Sequence, residues 1–356
     1  MTAELLLLLV SSFSFSRAIP WPPQLPGGQQ HVHGPDCAHQ RGVVIYPDDL
    51  YGVGMVEQWA DWLKNADLNF LGLHGPAPQG VLPFLESETH RQLQRAAADL
   101  SVSIEYELHS FSYLMPRDLF ATHPAYFRQD RSGKRNPDTN FCTGNSSGLQ
   151  LAAQNAVELA LRLNQTVPRF HFWQDDGGGD AWCSCSLCKG LSPSDQYTRA
   201  LNALATALSE KVGGNVSLAY LAYSDTIDPP TTVTPHESLF LEYAPISRNL
   251  SEPVWAQPTT TKQLLDWKDS GWKMSEAQVL DYWLDDSLAS AWKRGDQKPL
   301  DFHPAVARED AIFYHGDIGF GSITTFAAWL NQTYVQKFGQ PPIPQFGHAL
   351  CPAQTL

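Results

Sequence analysis

Apolar residues along this chain recur in two rhythms. Short runs rich in β-branched and aromatic residues read as strands, and stretches with apolar positions three or four apart read as helices. "RGVVIYPDD" (41–49) is the first strand, and "GMVEQWADWLKNA" after it puts Val56, Trp59 and Leu63 on one helical face. "NFLGLHG" (69–75) follows, then a helix near 86–100 striped by Leu93, Ala97 and Leu100. "VSIEYELHSF" (102–111) is the third strand, separated by a long loop and a helix over 148–163 from "RFHFWQDD" (169–176). A helix capped by Ser194 runs to about Lys211. The remaining strands are "VSLAYLAYSD" (216–225), "SLFLEYAP" (238–245), "QVLDYWLDD" (278–286) and "GSITTFAAW" (321–329), with helical patterns near 259–270 and 303–315.

Strands alternating with helices imply parallel pairing through right-handed crossovers. Eight of them predict an α/β fold, a (β/α)8 TIM barrel. A doubly wound open sheet is the competitor, and no G-x-G-x-x-G follows an early strand to support it. The expected organisation is a signal peptide (1–18), a Pro/Gly-rich linker (19–40), the barrel (41–345) and a short tail (346–356). The leader reading rests on the apolar stretch Leu5–Val10 and the small residues Ser16 and Ala18, although a basic n-region is missing.

Composition narrows the partners. A net charge of −13 over 356 residues excludes the clustered Lys and Arg that nucleic acid requires. Past the leader no apolar run approaches the ~20 residues of a membrane span. Sequons at Asn145, Asn164, Asn215, Asn249 and Asn331, with an even cysteine count, fit a secreted glycoprotein carrying N-glycans.

Barrel chemistry sits at the C-terminal ends of strands. Those ends supply Asp48, Asp49, His74, Glu107, His109, Asp175, Asp176, Tyr223, Asp225, Glu242, Tyr243, Asp281 and Trp283. Carboxylates among aromatic and imidazole groups suit a neutral polyol, and two acids can break a glycosidic bond. Any one of these acids is equally at home as a helix cap or an ion-pair partner. The adjacent pair Asp175-Asp176 stands out, because neighbouring like charges favour a retained proton. The substrate-binding candidates are His74, Glu107, His109, Tyr223, Tyr243 and Trp283.

Several motifs occur together and in order: "LFATHPAYFRQDRSGKR" (119–135), "NFCTGN" (140–145), "WQDDGGGDAWCSCSLC" (173–188), "LAYSDT" (221–226), "DYWLDDSLASAWKR" (281–294) and "GSITTFAAWLNQTYVQKFG" (321–339). Over roughly residues 42–340 the chain resembles the domain of unknown function 4838 family of TIM-barrel glycoside-hydrolase-like proteins. That family is distantly similar to family 67 α-glucuronidases and to hexosaminidases with an Asp-Asp pair after strand four. The resemblance implies a sugar-cleaving barrel with Asp176 as general acid and Asp175 orienting it. Glu242 or Asp281 would then be the opposing base or nucleophile. A non-catalytic carbohydrate-binding glycoprotein on the same barrel is the alternative.

Cysteines complete the picture. Cys183, Cys185 and Cys188 share one loop, and "CSLCKG" has the form of a zinc knuckle. Cys142 emerges after strand three, on the same barrel face. A structural zinc on these four and local disulfides, with Cys37 bridged to Cys351, are both open at this level. Neither implies a catalytic cofactor.

Overall fold

The computed structural model describes residues 40–65, 68–75, 77–177, 180–213, 215–248, 257–282 and 313–317. The strands are β1 (Gln40–Ile45), β2 (Phe70–Gly75), β3 (Ser103–His109), β4 (Arg169–Trp173), β5 (Ser217–Ala222), β6 (Leu239–Tyr243), β7 (Gln278–Tyr282) and β8 (Phe313–Asp317). All pair in parallel with their sequence neighbours, and β8 returns to β1 to close the sheet. The helices are α1 (Met55–Asn65), α2 (Pro78–Leu85), α3 (Glu88–Leu100), α4 (Phe111–Leu114), α5 (Ser146–Leu163), α6 (Pro193–Lys211) and α7 (Pro258–Asp269).

One feature differs from the alternation expected of the sequence. The closing strand is Phe313–Asp317, which the periodicity had placed at the end of a helix. Its sequence "FYHGD" carries apolar residues only at its start and a glycine within, so it gives no strand alternation to read. The segment 321–329 lies outside the described residues, as do the leader, residues 19–39 of the linker, the tail, Cys37 and Cys351. The connection from β5 to β6, where the sequence shows no helical pattern, holds one 3-10 turn, Ser224–Thr226, and no α-helix. Its sequence "IDPPTTVTPHES" contains Pro229, Pro230 and Pro235, and each proline removes a helical donor. The loop is instead tied down by Asp195, whose Oδ1 accepts from the amides of Thr231, Thr232 and Val233 at 3.1, 2.7 and 2.9 Å.

Helix ends follow their caps. The hydroxyl of Ser87 accepts from the His90 amide at 3.0 Å to start α3. Asn145 does the same for Gly148 at 2.9 Å to start α5. The cap of α6 is Ser192, two residues before the expected Ser194, with Pro193 in the first turn and Asp195 closing a capping box. Helices then bury their apolar stripes against the sheet, Val56, Trp59 and Leu63 of α1 among them. Around β5 the core is aromatic: the ring of Tyr220 lies 4.7, 5.1 and 5.2 Å from those of Tyr197, Trp267 and Trp272. Among the described residues no helix is long and apolar enough to cross a membrane.

Where β1 meets β2, Gly42 stands in register with Phe70. A methyl group there would run into the ring and carbonyl oxygen of Phe70 and stand 2.8 Å from its Cβ. The carbonyl belongs to the sheet and cannot swing aside. Gly42→Ala is therefore expected to destabilise the fold by about 1–3 kcal/mol. A denaturant midpoint unchanged from the parent would show that the two strands separate at no cost.

Candidate functional site

Every second residue of a barrel strand enters the barrel, where branched apolar side chains normally fill the space. Here β3 and β4 send in charge instead. Glu105, Glu107 and His171 are wholly buried, as are Glu242 of β6 and Gln278 of β7. His171 is the hub, with Nε2 2.6 Å from Glu105 Oε2 and Nδ1 2.9 Å from Glu242 Oε2. A carboxylate only accepts, so both ring nitrogens donate and the imidazole is a cation. Burial works against that charge, but the Glu242 charge and the hydrogen bonds to Glu105 and Glu242 outweigh it and raise the His171 pKa to about 10. Arg169 adds a second cation, with Nε 3.5 Å from Glu105 Oε2 and Nη2 donating to Gln278 Oε1 at 3.0 Å.

Glu242 is heavily committed. Its Oε2 also accepts from Trp173 Nε1 at 2.8 Å, and its Oε1 accepts from Gln278 Nε2 at 2.6 Å. Glu107, His171 and Glu242 bring potential ligand atoms within 4.8 Å of one another. Such a triad could suggest a metal, but an imidazole donating from both nitrogens offers no lone pair. This cluster is a set of ion pairs.

The charged hub yields a pH expectation. Because the folded-state pKa of His171 lies above the ~6.5 of a free imidazole, its contribution is fully present below about pH 6.5. It is lost as pH rises through about 10. Melting temperature should therefore fall between neutral pH and pH 10 in the parent, and less steeply in His171→Gln. Parallel slopes for the two proteins would refute a charged His171.

Above the hub, the last inward residue of each of five successive strands is aromatic or imidazole: Tyr46 just past β1, His74, His109, Trp173, and Tyr223 just past β5. The His74 ring lies 5.4 Å from Tyr46, 5.7 Å from His109 and 5.5 Å from Trp173, and His109 lies 5.3 Å from Trp173. Both histidines donate Nδ1–H to backbone carbonyls, His74 to Glu107 at 2.8 Å and His109 to Gln174 at 2.6 Å. These bonds fix ring orientation and tautomer.

The two aspartates after β4 part company. Asp175 is an anchor: it pairs with Arg117 and accepts from the amides of Ser112 at 2.8 Å and Asn140 at 2.6 Å. Asn140 completes the lock, its Oδ1 accepting from the Asp175 amide at 3.0 Å. Asp176 is exposed, and the Tyr223 hydroxyl donates to its Oδ1 at 3.4 Å. Elsewhere on the rim, burial followed by the nearby Asp48 charge lifts Asp49 to about 6, against the lowering hydrogen bond from the Tyr46 amide. Burial also raises the Asp225 carboxyl.

Of the residues singled out in the sequence, the structure gathers His74, His109, Tyr223 and Asp176 at the mouth. It sets Glu107 and Glu242 beneath them in the barrel interior. Tyr243 is turned to the helix layer, fully buried with its hydroxyl on Gln263 of α7 at 2.6 Å. Asp281 lies on β7 in register with Gly316; its side chain and all of Trp283 fall outside the described residues. Tyr46 and Trp173, as well as the supports Arg117, Asn140 and His171, were missed. An alternation of charge and aromatics in "RFHFW" was the available signal for two of them.

The four cysteines also meet, all buried, with Cys142 Sγ 3.5 Å from Cys185 Sγ and 3.9 Å from Cys188 Sγ.

Comparison with known proteins gives three results. No curated protein matches the chain. Among solved structures, similar ones include the beta-N-acetylhexosaminidase from Bacteroides fragilis NCTC 9343, at 13% identity over 90% of this chain and 67% of that one, TM-score 0.48. Another is the beta-galactosidase from Rahnella sp. R3, at 12% identity over 78% and 50%, TM-score 0.48. The GH20 beta-N-acetylhexosaminidase from Streptomyces coelicolor A3(2) is also similar, at 12% identity over 87% and 64%, TM-score 0.45. Residues 80–283 match a family model described as Domain of unknown function (DUF4838). That span holds β3 to β7, the hub, the aspartate pair and the four cysteines, and it exceeds half the chain: the protein belongs to this family.

Proposed function

We propose that this protein acts on carbohydrate, hydrolysing a glycosidic bond with Asp176 as proton donor. The observation that carries the reading is the collar of Tyr46, His74, His109, Trp173 and Tyr223, with an exposed carboxylate at its edge. Rings with polar tips suit a ligand that offers C–H faces and hydroxyls together. Asp175, held by Arg117 and two amides, orients the strand end from which Asp176 projects. The second carboxylate of a paired mechanism is taken to be Glu242 or Asp281, with Glu242 on the inward face already holding Trp173 and His171. No metal or organic cofactor takes part in this chemistry. The reading includes a full (β/α)8 barrel. It also includes export, with N-glycans at Asn145, Asn164, Asn215, Asn249 and Asn331.

One observation favours the non-catalytic alternative. Glu242, an acid expected to face Asp176, has both oxygens committed to Trp173, His171 and Gln278. A binding protein needs only the collar. The two are separated by a panel of aryl glycosides and natural oligosaccharides, with release of sugar and binding measured on the same preparation. Hydrolysis of any member supports the enzyme; glycan binding without release would leave the binding protein, and neither would sink both.

A further inference from the structure

We propose that Cys142, Cys183, Cys185 and Cys188 bind a single structural zinc ion as four thiolates, fastening the loop that follows Asp175 and Asp176. The sulfur positions carry the argument. All four lie within 4.8 Å of one another, and two separations are 3.5 and 3.9 Å. A tetrahedral ion with Zn–S of about 2.3 Å requires sulfurs about 3.8 Å apart. Two disulfides would instead divide the set into pairs at about 2.05 Å. Cys142 stands at similar distances from Cys185 and Cys188, and none of the four is bonded to another as a disulfide.

The surroundings are built for thiolates. The sulfurs form their own buried group, 0 to 3% exposed. The Gln129 amide donates to Cys183 Sγ at 3.3 Å, and Arg135 Nη1 stands 4.0 Å from it. Donors on a ligating sulfur spread the negative charge of a metal–thiolate group. The amides of Cys188 and Lys189 both donate to the Cys185 carbonyl at 2.9 Å. Gly190 then leaves the turn at φ +87°, a left-handed conformation suited to glycine. Gly144 is a further requirement, since a methyl there would sit 2.6 Å from Leu187 Cβ and 3.0 Å from Cys188 Sγ.

Four protein ligands leave no position for water or substrate, so the site is structural. Its reach is nonetheless functional. Cys142 follows Asn140 by two residues, and Asn140 holds Asp175 on one side and the Ala181 carbonyl, at 3.2 Å, on the other. Ser184, between two of the ligands, donates its amide to the Gln129 carbonyl at 2.7 Å. The ion would thus join the loop after β3 to the loop after β4, whether or not Asp176 is an acid.

The test is elemental analysis of the full chain purified without chelator. About one zinc per chain is expected, in line with a closed four-ligand site. Exchange into cobalt should give thiolate charge-transfer bands and the visible spectrum of tetrahedral cobalt. Cys185→Ser and Cys188→Ser should reduce the metal to traces, while Cys37→Ser and Cys351→Ser keep it. Chelation of the parent should lower its melting temperature, and added zinc should restore it. Iron in place of zinc would overturn the metal assignment. Metal-free protein whose four cysteines resist alkylation after denaturation without reductant would overturn the site in favour of disulfides. Both readings come from the parent protein, so a variant that fails to fold does not blunt them.

Discussion

His171→Leu should be among the most damaging single substitutions in the barrel, with an expected loss of about 3–5 kcal/mol. Domains of this kind are stable by about 5–15 kcal/mol in total. The size follows from what the leucine would strand. Glu105 and Glu242 would both lose a charged donor while remaining 0% exposed. Glu107 lies in the same small volume, which leaves Arg169 as the remaining cation of the group. Carboxylates that cannot reach water must then take up protons or draw water in, and either course weakens the fold. Urea unfolding measures the loss. Combining His171→Leu with Glu105→Gln and Glu242→Gln should recover part of it, because the two stranded carboxylates are then replaced by neutral amides. A single variant as stable as the parent would mean that the carboxylates are already protonated.

This hub has a consequence for the mouth above it. Glu242 holds Trp173 by its indole nitrogen, and Trp173 touches both His74 and His109. Collar and hub are therefore one packed unit. Apolar residues of the same volume could fill the barrel without such a cost, so the charged interior reads as a device for fixing the collar rather than for stability. Variants that loosen the hub should accordingly weaken sugar binding as well as the fold.

Seven strands could be read from the chain because each is a long apolar run whose ends carry turn residues. β8 could not, since "FYHGD" has apolar residues only at its start and a glycine within. Helix α2 was also invisible: "PQGVLPFL" begins with one proline and contains another, Pro83, together with a glycine, which reads as loop. The site was legible at its edges only. Residues at strand ends announce themselves by position, and His74, His109, Asp176 and Tyr223 were found in that way. Glu107 and Glu242 of the hub were found as strand-end acids, but Glu105, Arg169 and His171 were overlooked because they sit at the start or middle of strands, where apolar residues are expected. Yet "SIEYELH" and "RFHFW" place Glu105, Glu107, Arg169 and His171 at every second position, the spacing of a single inward face. Which of two adjacent aspartates is anchored and which is exposed was not legible, since Arg117 and Asn140 lie 58 and 35 residues away along the chain.

Asp176→Asn is expected to cut turnover by about 10²–10⁴-fold on a glycoside with a poor leaving group, the usual range for loss of a proton donor. Exposure favours binding being retained, since the amide has the same shape and the collar is untouched. The leaving group supplies the sharper criterion. A departing alkoxide needs the proton, whereas a nitrophenolate leaves nearly as well without it, so the variant should lose far less on a nitrophenyl glycoside. Asp175→Asn should behave differently, because Arg117 would lose its partner and the strand end its anchor. Both substrates should then suffer alike, and the melting temperature should fall. Tyr223→Phe provides the third comparison: it removes the hydroxyl that donates to Asp176 Oδ1 while keeping the ring in the collar. A hydrogen bond to a charged group is worth about 1.5–3 kcal/mol, and at 3.4 Å the effect should fall at or below the lower end. Equal losses for Asp176→Asn on both classes of substrate would move the proton donor elsewhere on the rim, with Asp49 the first to be replaced.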